Sequence, residues 1–414
     1  MELKPGYKQT EVGVIPEEWK TPTLDSVAKR GSGHTPDKKH PEYWDGDIKW
    51  VSLKDSDALD RVYIDETAAT ITCAGIANSS AVIHPAGTVV LSRDAGVGKS
   101  AIMKSAMAVS QHFMAWQCGP CLDNHFLYYW LQSEKSEFER IAIGNTIKTI
   151  GLSYFRALNI PLPPLSEQRA IAGTLSDVDA LIGAVDQLIA KKRDLKQAAM
   201  QQLLTGQKRL PGFHGEWEVM TLKQAAEIHT GINKSLSEMG SGTLYVTVQD
   251  LYDGTSIRIE RLGRIRVSPA EIQARILAVD DIVFGKSSVK RDGIGYPSQF
   301  LGCGEPVVFS GFTYRARARQ GIADATFLFY VLRSSKTRRW LIDNSQASAL
   351  TNINQSIADA IPVTLPPLPE QTAIAKVLSD MDAEIATLEQ RRGKTRDLKQ
   401  GMMQELLTGR TRLV

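Results

Sequence analysis

At 414 residues, with 43% hydrophobic and 23% charged side chains, the chain has the make-up of a folded protein of roughly two to four units, not of a disordered tail. No apolar run is long enough to span a bilayer, the opening MELKPGYKQTEVG lacks a secretion-signal pattern, and four cysteines are too few for a disulfide framework. A reducing cytoplasm is therefore the expected setting, and the formal net charge of +3 allows a nucleic-acid partner without requiring one.

The first predicted unit is a globule over residues 1–160. After its first strand comes the polar loop Gly-Ser-Gly-His34-Thr35-Pro, which reads either as a DNA-contacting loop or as a plain turn. Ala95-Gly96-Val97-Gly98-Lys99-Ser100 imitates a phosphate-binding loop, but that motif needs a Gly where Arg93 stands. Two readings remain for it: a structural hairpin turn, or a Gly-rich turn that lets Arg93 and Lys99 approach DNA. Lys54 is a further cationic candidate. Cys118-Gly-Pro-Cys121 has the spacing of a redox pair, yet the rest of the chain has no redox fold around it, and two cysteines fall short of a zinc set. The histidines show no paired metal-binding spacing.

Residues 161–206 read as one long helix. Pro-Pro-Leu cannot continue a helix backwards, Ser166 is the expected N-cap, and Gly206 suits the left-handed residue that ends a helix. Ile171, Leu175, Val178, Ile182 and Val185 alternate spacings of four and three, the seam of a coiled coil. Lys191-Lys192-Arg193 interrupts that seam, either as a solvated basic face or as a contact for DNA or a partner.

The second globule, residues 207–361, echoes the first. Trp217, Thr221 and Leu222 match Trp19, Thr23 and Leu24; Arg291-Asp292-Gly293-Ile294-Gly295 matches the Arg93 segment; FLFYVL at 327–332 matches FLYYWL at 126–131. Asn233 and Lys234 occupy the place of His34 and Thr35, and Lys286, Lys290 and Arg291 flank the second Gly-rich turn. Arg315, Arg317 and Arg319 alternate, so a strand puts them on one face, suited to phosphate or to a solvated edge. Asn352 and Asn354 offer amides of the kind that pair with adenine.

Residues 362–414 repeat the first helix without a gap, with about 30 of roughly 49 positions identical between 162–210 and 365–413. Ile374, Leu378, Met381, Ile385 and Leu388 restate the seam, Pro369 is the expected first helical residue, and Gly409 closes the segment. Arg391-Arg392-Gly393-Lys394 breaks it again. Each helix of about 38 residues would be roughly 57 Å long and needs a partner for its seam, most simply the other copy. The expected fold is thus α+β: two mixed α/β globules joined by two long antiparallel helices in a coiled coil, with a pseudo-twofold internal repeat. Such a pair can act as a ruler between two half-sites about 34 Å apart, one DNA turn. Because the globules differ in sequence, the site should be asymmetric, with an unread gap.

GYKQTEVGVIPEEW at the start, PPLSEQ and PPLPEQ opening the helices and LLTG closing them resemble the specificity subunits of Type I restriction-modification systems over almost the whole chain. The resemblance implies that the globules are target recognition domains for double-stranded DNA. It implies that the helices are spacer and platform for two modification (methyltransferase) subunits, joined by restriction (motor-nuclease) subunits. S-adenosylmethionine would belong to the modification partner, ATP and Mg to the restriction partner, and no cofactor or metal to this chain. A methylation-only or Type IIB-like system is the near alternative. Two other classes are weighed against it. A stand-alone methyltransferase would need an Asn/Asp-Pro-Pro-aromatic motif, and the chain has only Leu-Pro-Pro-Leu. A coiled-coil scaffold would lack salt-sensitive, sequence-specific DNA affinity.

Overall fold

The computed structural model describes residues 5–413 apart from 145–147, 253, 348 and 349. Its contacts divide into two compact units, residues 1–186 with 390–414 and residues 187–389. The division falls inside both long helices, so each unit owns one globule and a stretch of each helix.

In the first unit a five-stranded sheet runs Ala28–Ser32, Phe113–Cys118, Val89–Ser92, Ser100–Met103, Tyr63–Ile64. A second sheet runs Thr70–Ile71, Trp44–Val51, Met107–Val109, Ile83–His84. Val89–Ser92 is buried at every position, which suits a β-branched run with sheet neighbours on both sides. The helix Asn124–Ser133 is capped by Asp123, whose Oδ1 accepts from the N–H of His125 at 2.9 Å and of Phe126 at 3.1 Å. Its Phe126–Leu131 stretch is apolar all round because it lies wholly within the core.

The second unit repeats the plan. One sheet runs Ala226–Thr230, Thr313–Ala318, Ile282–Gly285, Pro297–Gln299; the other Gly263–Ile265, Met239–Val246, Val307–Phe309. Asp324 caps the helix Ala325–Arg333 through Phe327 N–H at 2.9 Å.

The long helices run Leu165–Leu203 and Leu368–Leu406. The first starts two residues and the second one residue before the expected point, so Ser166 lies in the first turn and is not the N-cap. Pro369 holds the same place in the other helix. The first-turn N–H groups bond instead to Pro164 and Pro367 carbonyls, Gln168 at 3.0 Å and Glu370 at 2.9 Å. Gly206 and Gly409 adopt φ of +72° and +70°, the left-handed ends expected of them.

Of the seam, Ile171, Leu175, Val185, Ile374, Leu378 and Ile385 are buried, and Val178, Ile182, Met381 and Leu388 are half-buried. Its first turns are not covered by the other helix alone. Ile171 and Leu175 belong to the core built on Phe126, Tyr129 and Trp116, which Leu406 and Leu407 also enter; Ile374 and Leu378 do the same in the second unit with Phe327 and Tyr330, joined by Leu203 and Leu204.

Within each unit the two helix stretches face each other in opposite senses. In the first, Asp179 pairs with Lys399 at 2.7 Å and Asp186 with Arg392 at 3.0 Å. In the second, Asp382 pairs with Lys196 at 2.5 Å, Glu384 with Lys192 at 2.6 Å, and Glu389 with Arg193. Two of the basic residues that interrupt the first seam, and Arg392 of the second, are thus cross-helix partners.

The repeated PPLxEQ and LLTGxxRL motifs explain one another. Glu167, fully buried, accepts from Arg412 and from Trp19 Nε1 at 3.0 Å. Glu370, also fully buried, accepts from Arg209 Nε at 2.9 Å. Gln168 bridges the Asp123 N–H (2.8 Å) to the Cys121 and Pro163 carbonyls; Gln371 bridges the Asp324 N–H (2.9 Å) to those of Ile322 and Pro366. Glu locks the end of one helix stretch to the start of the other, and Gln locks the globule to its helix.

Candidate nucleic-acid interface

Each unit carries a cleft at the same place in its fold. Trp44–Val51 lies parallel to Met107–Val109, with Trp50 opposite Ala108; Met239–Val246 lies parallel to Val307–Phe309, with Tyr245 opposite Val308. This register matches Trp50 with Tyr245, Ser110 with Ser310, and His112 with Phe312. Just past the first strand of each pair, Ser52 N–H and Oγ bond to Asp55 Oδ2 at 2.8 and 3.0 Å, and Thr247 N–H and Oγ1 bond to Asp250 Oδ2, both at 2.7 Å. The aromatic tips bind the neighbouring loop: Trp50 Nε1 donates to the His34 carbonyl at 3.1 Å, and Tyr245 OH to that of Ile232 at 3.0 Å.

Those contacts match His34 with Ile232 and Thr35 with Asn233, and they explain the glycine before each. A Cβ on Gly33 would lie 1.6 Å from the Val109 carbonyl oxygen, and one on Gly231 2.1 Å from that of Phe309. Neither glycine has positive φ; what requires them is close backbone approach.

The clefts differ in what lines them. The first, about 670 Å³, is walled by Thr35, Lys38, Trp50, Lys54, Gln111 and His112. A hydrogen-bonded chain crosses it: Thr35 Oγ1 to Gln111 Oε1 at 2.6 Å, Gln111 Nε2 to His112 Nε2 at 3.3 Å, and His112 Nδ1 to Asp94 Oδ2 at 2.6 Å. The second, about 1220 Å³, takes in Asn233, Lys234, Tyr245, Val289, Lys290 and Phe312. Lys234 is tied to Glu238 and Glu271, both at 3.1 Å, whose hydrogen bonds raise its pKa.

Two expected candidates, Thr35 and Lys54, thus line the first cleft, with the His34 carbonyl held beside it by Trp50, and three line the second: Asn233, Lys234 and Lys290. Arg93 is not in the first lining and lies 3.5 Å from Asp94. Others are occupied. Lys99 donates to the Ser56 carbonyl at 3.1 Å, and its Gly-rich loop joins two adjacent antiparallel strands, Val89–Ser92 and Ser100–Met103. A phosphate loop joins a strand to a helix, so this segment has the geometry of a hairpin. Asn354 caps the helix Gln355–Ala360, accepting from Ile357 N–H at 2.9 Å, and Asn352 bonds to the Leu350 carbonyl.

The row Arg315, Arg317, Arg319 is not an open basic face. Arg315 is 5% exposed, and burial, with Arg317 beside it, holds its pKa below the usual value. Arg317 forks onto the buried carboxylate of Asp281 at 2.8 and 2.7 Å, and Arg319 meets Glu227 at 3.4 Å. The alternation is real, but the strand is central in its sheet and neutralised by its neighbours.

The match of Arg93 with Arg291 also gives way. Arg93 N–H donates to the His112 carbonyl at 3.0 Å; the residue donating to the Phe312 carbonyl is Lys286, at 2.8 Å. Gly98 and Gly295 do correspond, bonding back to Ser92 at 3.0 Å and Gly285 at 3.1 Å. Arg291 lies in the extra length of the second loop, its guanidinium near the Ile342 carbonyl at 3.5 Å, while Lys286 reaches Thr230 Oγ1 at 3.2 Å.

Cys118 and Cys121 are free thiols, and burial pushes the Cys118 thiol up to about 12, the opposite of what a redox nucleophile needs. Sequence reasoning passed over Gln111, His112, Phe312 and Val289. A usable signal was present in Trp50-Val-Ser-Leu-Lys-Asp55 against Tyr245-Val-Thr-Val-Gln-Asp250, each holding a capping-box spacing.

Two α/β units of one plan, each presenting a cleft with its own lining beside a shared helical frame, define a duplicated recognition architecture. The model of the Type I restriction modification DNA specificity domain matches residues 16–191 and again 214–395, and the chain belongs to that family. It is 23% identical over 425 residues to the Type I restriction enzyme MjaVIII specificity subunit of Methanocaldococcus jannaschii, covering 96% of this chain and 94% of that one. With the MjaIX specificity subunit of the same organism identity is 32% over 178 residues, spanning 42% of this chain and 41% of that subunit. The crystal structure of a Type I restriction-modification S subunit from M. genitalium superposes with a TM-score of 0.59 at 16% identity, covering 98% of both chains. A chain from a structure of type I R-M complex assembly gives 0.61 at 16% identity, over 96% of this chain and 99% of that one. No helix among the described residues is long and apolar enough to cross a membrane.

Proposed function

We propose that this chain is the DNA-reading subunit of a Type I restriction-modification enzyme, each unit reading one half of an asymmetric, two-part site. The observation that carries this is the duplicated cleft: one backbone plan, held by matching glycines and aromatic tips, with two unlike linings. Lys38, Lys54 and Lys290 would hold phosphates and set register, while the cleft walls read base edges. The long helices would fix the gap between half-sites, so deleting whole turns from both should change the gap and leave each half intact.

In this reading the chain makes and breaks no bonds and holds no cofactor. Two modification subunits, carrying S-adenosylmethionine, would methylate an adenine flipped from the stack once both halves match. A motor-nuclease subunit using ATP and Mg would join for restriction. The test is methylome sequencing of DNA from cells expressing this chain with its modification subunit. A methylated, asymmetric, gapped motif is expected; a short continuous motif would sink the two-unit reading. Absence of methylation by an assembled complex would sink the proposed role.

A further inference from the structure

The two clefts differ at one matched turn. At the turn before Phe113–Cys118, His112 is one-third exposed and belongs to a polar chain with Gln111, Thr35 and Asp94. At the matching turn before Thr313–Ala318, Gly311 and Phe312 replace Gln111 and His112, and Phe312 is 61% exposed. Around the same cleft Val289 is 87% exposed, Met239 43% and Leu350 42%, with Lys290 on its wall. An exposed apolar lip beside a cation on one cleft is not expected of a surface that meets only water.

Resting on the reading above, we infer that Phe312 is a specificity-determining residue whose ring packs on a thymine C5-methyl in the half-site of the second unit. The matching turn of the first unit carries polar side chains instead, Gln111 and His112, tied into their own hydrogen-bonded chain. In the major groove the thymine methyl is the one apolar group among base edges, and phosphates flank it where Lys290 stands. The chemistry fits the lining: a ring without donors cannot tell bases apart by hydrogen bonds, but it can reward a methyl. Gly311 adds no side chain to compete for that space, and Asn233 Oδ1 sits where a Cβ at 311 would be, 2.0 Å away.

The test uses the full chain with its modification subunits and a duplex carrying its methylome-defined site. Each thymine is replaced in turn by deoxyuracil, which removes only the C5-methyl. One replacement, in one half, should weaken binding about four-fold. That penalty should vanish in Phe312→Ala, which binds the thymine duplex about four-fold more weakly itself, and should persist in Phe312→Leu. Gln111→Ala should leave the penalty unchanged. A site bound with sequence preference but indifferent to uracil, or equally sensitive in Phe312→Ala, would overturn the inference and leave the DNA-reading role standing. Absence of any sequence preference in the unaltered complex would overturn both. Loss of modification-subunit assembly in Phe312→Ala, with DNA binding unchanged, would make the lip a protein contact and also overturn it.

Discussion

The two units share their frame to the level of single hydrogen bonds and diverge where the frame opens. Tyr129 OH donates to Asp179 at 2.9 Å, and Lys399 sits on the same carboxylate and 5.2 Å from the tyrosine ring centre. Tyr330, Asp382 and Lys196 reproduce this at 2.7, 2.5 and 5.3 Å. By contrast the turn holding His112 and Phe312 keeps its backbone and its serine, Ser110 or Ser310, and changes the two residues that follow. Burial accounts for the division. A desolvated carboxylate tolerates few partners, whereas a rim residue is constrained only by what it touches outside the chain.

The sharpest way to break the comparison is through the two buried glutamates. A buried carboxylate stripped of its partner costs about 3–5 kcal/mol. Glu167 keeps Trp19 when Arg412 is removed, but Trp217 Nε1 has no partner among the described residues, so Glu370 has no such reserve. Arg209→Ala should therefore lower the urea midpoint of its unit, followed by hydrogen exchange of 187–389, more than Arg412→Ala lowers that of the other. Equal losses would mean that Trp19 contributes nothing.

Next come the glycines. Ala at 33 or 231 forces a Cβ into a backbone carbonyl, an overpacking that costs about 1–3 kcal/mol. Gly33→Ala should relax one half of the methylated motif and Gly231→Ala the other; relaxation of both by either change would refute the separate-reader comparison.

The matched triads should respond alike. Asp179→Asn and Asp382→Asn each remove the charge from a mostly buried pair, with an expected loss of about 2 kcal/mol in chemical denaturation. Burial already holds Lys196 below its usual pKa, so a markedly smaller loss for Asp382 would show that water reaches that pair.

The smallest effect is particular to the first unit, in the strand Ile83–His84. Burial holds His84 below the ordinary 6.5, so the unfolded chain takes up the proton first. Its contribution to stability is fully present above pH 6.5 and is lost as pH falls from there towards the folded value. The neighbouring charge is Lys29, which acts in the same direction. Thermal melts of His84→Gln should show a shallower acid decline than the unaltered chain between pH 6.5 and 5; identical slopes would exclude His84 as the cause.

The repeat, both long helices, their seam and their glycine ends follow from the sequence, because 3.6-residue periodicity and left-handed caps are local properties. That the two loops correspond follows as well, but the residue match does not: the structure sets Gly33 against Gly231 and Thr35, not His34, against Asn233. The cationic strand was misleading for a related reason. Alternation says that Arg315 and Arg317 share a face, but whether that face meets water depends on Asp281 and Phe309, which lie elsewhere in the chain. Likewise the match of Arg93 with Lys286 is invisible in the residues and fixed only by sheet register, because the second Gly-rich loop is longer. Lys99 and Asn354, both polar and plausible as contacts, are taken up by a carbonyl and a helix end. Local chemistry in the sequence determined what the frame is made of. Which side chains stand at the clefts, and above all that Phe312 takes the place of His112, was decided by strand pairing between distant segments, which no short window of sequence contains.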